Sequence, residues 1–290
     1  MKKKEDSTNP QKEALNRRGF IGASAAASTA AFLGAAEATE LDGNTLQESA
    51  LRLPSPHREP MPVVAMLLHP GVTLLDLLGP QTVLAPSCHV HLVWKNTDLL
   101  ETDSGIVMKA SSTFDECPKE LDVLFVPGGD PSVMLDAEVL QFLADRGARA
   151  RYITSVCGGS IVLGAAGLLQ GYNATSHWSV RQALSLFGAT PVNARVVTDR
   201  NRISGGGVTA GIDFGLVLLA ELLGEEVAKL TQLALEYDPA PPFDAGTPEK
   251  AGPEVVAKMG SWLGSMEEVI AQMCSAAAKN MGNFTPATKE

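Results

Sequence analysis

From Pro62 onward, short and mostly apolar runs alternate with longer stretches whose apolar positions recur every three to four residues. The short runs, 63–68, 89–95, 121–126 and 152–156, read as buried strands. The longer stretches read as helices. One starts at Thr73, carries Asp76 and breaks near Gly79-Pro80; others cover 133–149, 209–223, 225–237 and 254–278. A further helix opens at Ser160, and 174–187 reads as a strand followed by a helix. Two segments read as hairpins: 100–114, turning at Asp103-Ser104-Gly105, and 195–204, with Asp199-Arg200-Asn201 at its tip. Residues 238–253 are rich in Pro and Gly and read as a loop. Apolar strands alternating with helices predict one α/β domain over 62–278, a sandwich around a mostly parallel sheet, with a tail over 279–290.

The chain upstream of Pro62 has a different character. Residues 1–16 are polar and Lys-rich; Arg17-Arg18-Gly19-Phe20 then precedes a mildly apolar, Ala-rich run to Ala36. Twin arginines before such a run, with Ala36-Glu37-Ala38 as a small-residue cleavage site, predict a twin-arginine signal peptide over 1–38 and a periplasmic address. The run is too short and too weakly apolar for a good membrane span, so no stable membrane association is expected after cleavage. Residues 39–61, with Pro54, Pro56 and Pro60, read as a linker. The chain has 290 residues, 45% hydrophobic and 19% charged, and a net charge of −10. With no basic run beyond the first twenty residues, nucleic acid is not an expected partner.

In a parallel sheet, active sites gather at the carboxyl ends of the strands. Three motifs follow predicted strands and should share that edge. The first carries Cys157, between an apolar strand and an Ala/Leu/Gly-rich helix. A tight strand-to-helix turn lifts a nucleophile out of the fold, and a helix N-terminus lowers a thiol pKa. A small buried core cysteine is the alternative for this residue alone. The second motif holds Asp76, the only charge within 71–80; a buried carboxyl with a raised pKa can exchange protons near neutrality. The third is Pro127-Gly128-Gly129. Backbone N–H groups of Gly128, Gly129 and Gly158 could form an oxyanion-type pocket, and a plain strand-ending turn is the simpler alternative. His177 reads equally as a base for the thiol or as a structural imidazole. Cys88 and Cys117 are the candidates if an exported chain forms a bridge. His89 and His91 share one strand face and read as a sheet-lining pair; no metal site is expected.

These motifs together resemble the ThiJ/PfpI group of the class I glutamine amidotransferase-like superfamily, and within it the isonitrile hydratase branch. The matching stretches include Leu75-Asp76-Leu77-Leu78-Gly79-Pro80, Val126-Pro127-Gly128-Gly129, Ser155-Val156-Cys157 and Ala174-Thr175-Ser176-His177-Trp178. Gly206-Gly207-Val208-Thr209-Ala210-Gly211 and Glu236-Tyr237-Asp238-Pro239-Ala240-Pro241 extend the likeness across roughly 62–250. The resemblance implies a flavodoxin-like three-layer fold, a homodimer, a Cys157 nucleophile and an Asp76 partner. It also implies cofactor-free hydration of a small isonitrile to an N-substituted formamide. Another thiol chemistry of the group, or a periplasmic cysteine sensor without turnover, are the alternatives. The chain departs from the branch at Gly158, where the branch carries Thr; the backbone N–H is kept and a hydroxyl is lost.

Overall fold

The apolar runs become the middle of a seven-stranded sheet. This is a computed structural model, and it describes residues 60–284. The signal peptide read over 1–38 and nearly all of the 39–61 linker lie outside the described residues.

Strand β1 (Val63–Leu67) leads through a loop into α1 (Leu74–Leu84), then β2 (His89–Trp94). A small hairpin follows, β3 (Leu99–Glu101) and β4 (Val107–Lys109), and then the two-residue β5 (Ser112–Thr113). Next come β6 (Val123–Val126), a 3-10 turn (Pro131–Leu135), α2 (Ala137–Gly147), β7 (Tyr152–Val156) and α3 (Gly159–Ala165). The short strand β8 (Asn173–Ala174) and a 3-10 segment (Arg181–Phe187) precede β9 (Thr190–Pro191), β10 (Val196–Asp199) and β11 (Arg202–Gly205). Helices α4 (Ala210–Leu223), α5 (Glu225–Ala234), α6 (Pro248–Leu263) and α7 (Met266–Asn280) complete the described chain.

The sheet order is β10-β11-β7-β6-β1-β2-β5, parallel throughout except for β10 against β11. Flanking helices cover the sheet in the flavodoxin-like manner. This explains why β6 is apolar at every position: a parallel strand buried on both faces has no solvent side to alternate with. The chain leaves β1 toward β2 in one direction and continues from β6 toward β7 in the other. The crevice at that reversal is where ligands collect in such sheets.

Several expected elements differ. Helix α1 does not break at Gly79-Pro80: Pro80 lies inside it, fully buried among the residues that pack α1 on α4. Tertiary packing there outweighs the lost backbone hydrogen bond. The helix expected over 133–149 is two elements, because Asp136 caps a new start by accepting from the N–H groups of Glu138 and Val139. The helix expected within 174–187 is the 3-10 segment, ended by Gly188 at φ 71°. The single helix expected over 254–278 is α6 and α7, separated at Gly264, whose φ is 55°. Cys88 and Cys117 are both free and buried in the core, so the bridge considered between them is not formed. His91 meets the Ser112 hydroxyl at 3.1 Å, while His89 is exposed on the same strand.

Phe125, Phe187 and Phe214 are the largest fully buried side chains, and the Phe125 and Phe214 rings lie 5.5 Å apart. This contact ties the middle of the sheet to α4. Phe214→Ala is expected to cost about 3–5 kcal/mol, read as a lower urea midpoint with an unchanged slope. A loss below about 1 kcal/mol would mean that α4 does not anchor the core through this ring.

Candidate active site

Cys157 sits at the carboxyl end of β7 with φ 57°, a left-handed conformation rare for a residue with a side chain. Its surroundings hold it there. The Cys157 N–H donates to the carbonyls of Gly205 (3.1 Å) and Gly206 (2.7 Å) at the end of β11. Its own carbonyl accepts from the Ser176 hydroxyl at 2.7 Å and the Ser160 hydroxyl at 3.2 Å. Gly159 makes the elbow possible, because a Cβ there would drive into the Val126 carbonyl. A strained strand-to-helix turn that presents a nucleophile is thus built from three neighbouring strands.

Asp76 comes from the first turn of α1 and is fully buried. Its carboxyl and the Cys157 side chain both crowd Gly128 and shift one another's acidity, and Oδ2 accepts from the Gly128 N–H at 3.0 Å. Oδ1 has no hydrogen-bond partner among the described residues. Gly128 allows this convergence: a Cβ on it would lie 2.6 Å from Asp76 Oδ2 and 3.0 Å from the Cys157 Cβ. The expected edge therefore exists, and it brings the thiol, the carboxyl and the glycine turn into direct contact.

The electrostatics differ from the expectation in one respect. Burial raises the Asp76 carboxyl from 3.8 to about 7, against the hydrogen bonds from Cys157 and Gly128. The thiol is also raised, by burial first and then by the negative charge of Asp76. The Gly158 N–H opposes this and does not prevail. The lowering expected from the helix terminus is thus overturned, because burial and the neighbouring Asp76 carboxylate outweigh the Gly158 N–H. At rest the sulfur is therefore a thiol.

The remaining predicted residues separate by role. Gly128 cannot offer a free N–H to an oxyanion, because Asp76 occupies it; this corrects the expectation for that glycine. Gly129 and Gly158 both line the cavity beside Cys157. Gly158 has an ordinary φ of −67°, and the nearest atom to a Cβ built on it is the Gly128 Cα at 3.8 Å. His177 lines the same cavity, but its Nδ1 lies 2.7 Å from the Ser179 hydroxyl. Burial and Arg181 lower its pKa, so the imidazole is neutral near pH 7. The titratable side chain that acts most strongly on the thiol is Asp76.

Three contributors escaped the sequence reading. Buried His69 lines the cavity, with Nδ1 2.9 Å from the Pro70 carbonyl. Asp103, at the turn of the β3–β4 hairpin, accepts from the Leu74 N–H at 3.0 Å and adds negative charge near both Asp76 and Cys157. Met266 and Ile270 of α7 close the cavity, whose volume is about 190 Å³. The His69-Pro70-Gly71 sequence directly after β1 was a usable signal for the first; nothing local marked the other two contributions.

A DJ-1/PfpI family profile matches residues 63–221. The isonitrile hydratase of Pseudomonas putida is 52% identical over 197 residues, 67% of this chain and 86% of that protein. The deglycase PfpI of Pyrococcus furiosus is 30% identical over 134 residues, 45% of this chain and 81% of that protein. The crystal structure of a ThiJ/PfpI family protein from Pseudomonas syringae superposes with a TM-score of 0.71 at 44% identity. It covers 83% of this chain and 98% of its own.

The raised carboxyl has a consequence for stability. Folded Asp76 keeps a proton that the unfolded chain releases, so its contribution is fully present below about 3.8 and lost as pH rises through about 7. Asp76→Asn removes that titration and keeps an acceptor for Gly128. Between about pH 5 and about pH 8, the Asn variant is expected to gain about 2–3 kcal/mol on the parent in urea unfolding. Equal differences at the two pH values would show that Asp76 ionises normally.

Proposed function

The chain belongs to the DJ-1/PfpI family, and from that premise we propose that it hydrates a small isonitrile to the N-substituted formamide through Cys157. The observation that carries this reading is the pairing of Cys157 with buried Asp76 around Gly128 at the cavity. Similarity to the Pseudomonas putida enzyme supports the reaction class. The lining supports the substrate class: Met134, Ile161, Val162 and Val180 surround the thiol with apolar surface, which suits an uncharged R–N≡C molecule.

The reaction needs a nucleophile and a single mobile proton. Sulfur attacks the terminal isonitrile carbon as the thiol proton passes to Asp76. Asp76 returns that proton to the same carbon, giving the thioimidate R–N=CH–S–Cys157. Water then adds, its oxygen bonding to this carbon while one of its own protons passes to the nitrogen. The hydroxyl proton of the resulting intermediate passes through Asp76 to sulfur as the C–S bond breaks. The formamide leaves, the thiol is restored, and one water has been consumed. A carboxyl near 7 is suited to both directions of transfer. Gly129 and Gly158 are the backbone groups beside the reacting carbon in this scheme.

The sensor alternative is less well supported, because oxidation-sensing thiols are exposed and low in pKa, and this one is raised. The twin arginines at Arg17-Arg18 support export, so the reading includes a periplasmic enzyme. A homodimer is part of the same reading, by family resemblance.

Formamide production from cyclohexyl isocyanide tests the proposal. The parent should turn over, and Cys157→Ala and Asp76→Asn should each lose at least about a thousandfold in kcat/KM. Absence of turnover in the parent with a reduced thiol would sink the substrate assignment. For the active parent, kcat/KM should fall about tenfold per pH unit below about 7, as Asp76 becomes protonated and cannot accept the thiol proton. A profile flat from about pH 5 to about pH 8 would remove Asp76 as the proton acceptor.

A further inference from the structure

We propose that the substrate site has two chambers, with Met266 and Ile270 as their common wall, and that the second takes an apolar N-substituent too large for the first. The proposal rests on the isonitrile reading for the identity of the substrate.

The chamber at Cys157 has a volume of about 190 Å³. An apolar cavity of about 150 Å³ holds one benzene ring. The first chamber therefore has room for the reacting group and one ring-sized substituent. A second cavity of about 470 Å³ lies between the 3-10 segment Arg181–Phe187 and helices α6 and α7. The two cavities share His177, Ser179, Val180, Met266 and Ile270, so a group that outgrows the first passes these side chains into the second. Leu186, Met259, Leu263 and Cys274 help to line the outer chamber, and Glu267 is the one formally charged residue among its lining. A long hydrocarbon suits that surface, and an anionic or strongly hydrated group does not.

The sequence carries the same pattern. Met259, Leu263, Met266, Ile270 and Cys274 recur at intervals of four, three, four and four. The stripe runs across both helices: no residue of α6 is buried, while Cys274 of α7 is fully buried in the core and Ile270 packs against it. The α6 part and Met266 therefore face the outer chamber, and the α7 part ties that chamber to the core. Met266 follows the Gly264 break and is 55% exposed, and an unbranched methionine can shift to admit substituents of different girth. Helix α7 also lies beyond residues 63–221, the segment matched by the family profile. Substrate size is thus set in part by α7, which the profile does not cover.

The test compares methyl isocyanide with n-octyl isocyanide in the full chain, as the octyl-to-methyl ratio of kcat/KM. Ile270→Trp narrows the wall and should lower the ratio at least tenfold. Met266→Ala widens it and should raise the ratio. An unchanged ratio in both variants overturns the proposal. An unchanged ratio together with a shift in oligomeric state would assign the outer groove to a second copy of the chain, and also overturns it. A second readout needs no turnover. Alkylation of Cys157 by N-octylmaleimide and N-methylmaleimide, followed by peptide mass spectrometry, should show the same opposite shifts in rate ratio. A parent inactive on all isonitriles that still shows these shifts would defeat the hydratase reading and keep the two chambers. Maleimide ratios indifferent to both substitutions would defeat the chambers whatever the turnover.

Discussion

The contact between the Cys157 thiol and the Asp76 carboxyl is the constraint on which the site depends. It joins the end of β7 to the first turn of α1, across the turn after β6 that carries Gly128. Each partner is costly where it stands. The carboxyl is fully buried with one oxygen unpaired by protein, and the cysteine backbone is left-handed. The sheet holds both: β11 supplies two carbonyls to the Cys157 N–H, and the Gly128 turn supplies an N–H to the carboxyl. Strain and desolvation are thus concentrated at one point by a framework with ordinary, well-packed strands.

Much of that framework was legible in the chain. Strands β1 and β6 are continuous apolar runs, as parallel strands buried on both faces tend to be, and β7 keeps the pattern apart from its buried Thr154 and Ser155. Once those strands are parallel, their carboxyl ends must share an edge, so Asp76, Gly128 and Cys157 converge by topology. The sequence reading failed where the outcome depends on distant partners. Pro80 looks like a helix breaker until α4 packs against it. Asp103 is an unremarked turn residue until the hairpin folds back on α1. The thiol looks activated by a helix terminus until the opposing carboxylate is placed beside it. Local propensity reports none of these.

The C-terminal segment shows the same limit on a larger scale. Its apolar spacing gave helix correctly and gave one element where Gly264 makes two. That break aims α7 at the cavity, so a single left-handed residue decides which side chains meet the nucleophile's surroundings. Residues 63–221 supply the reacting groups and most of the wall around them, and Met266 and Ile270 of α7 complete that wall from outside the segment.

The paired acids have an effect beyond reactivity. With Asp76 beside the Cys157 thiol, Asp103 nearby, and burial holding the His69 and His177 imidazoles neutral, the site is negative or neutral near pH 7. Carboxylates and phosphates, which dominate the small-molecule population around most enzymes, meet repulsion and an apolar, poorly solvating cavity at the same place. The pair is therefore also a filter. It screens visitors by charge before shape is consulted, and it spares the sulfur from most of the solutes around it.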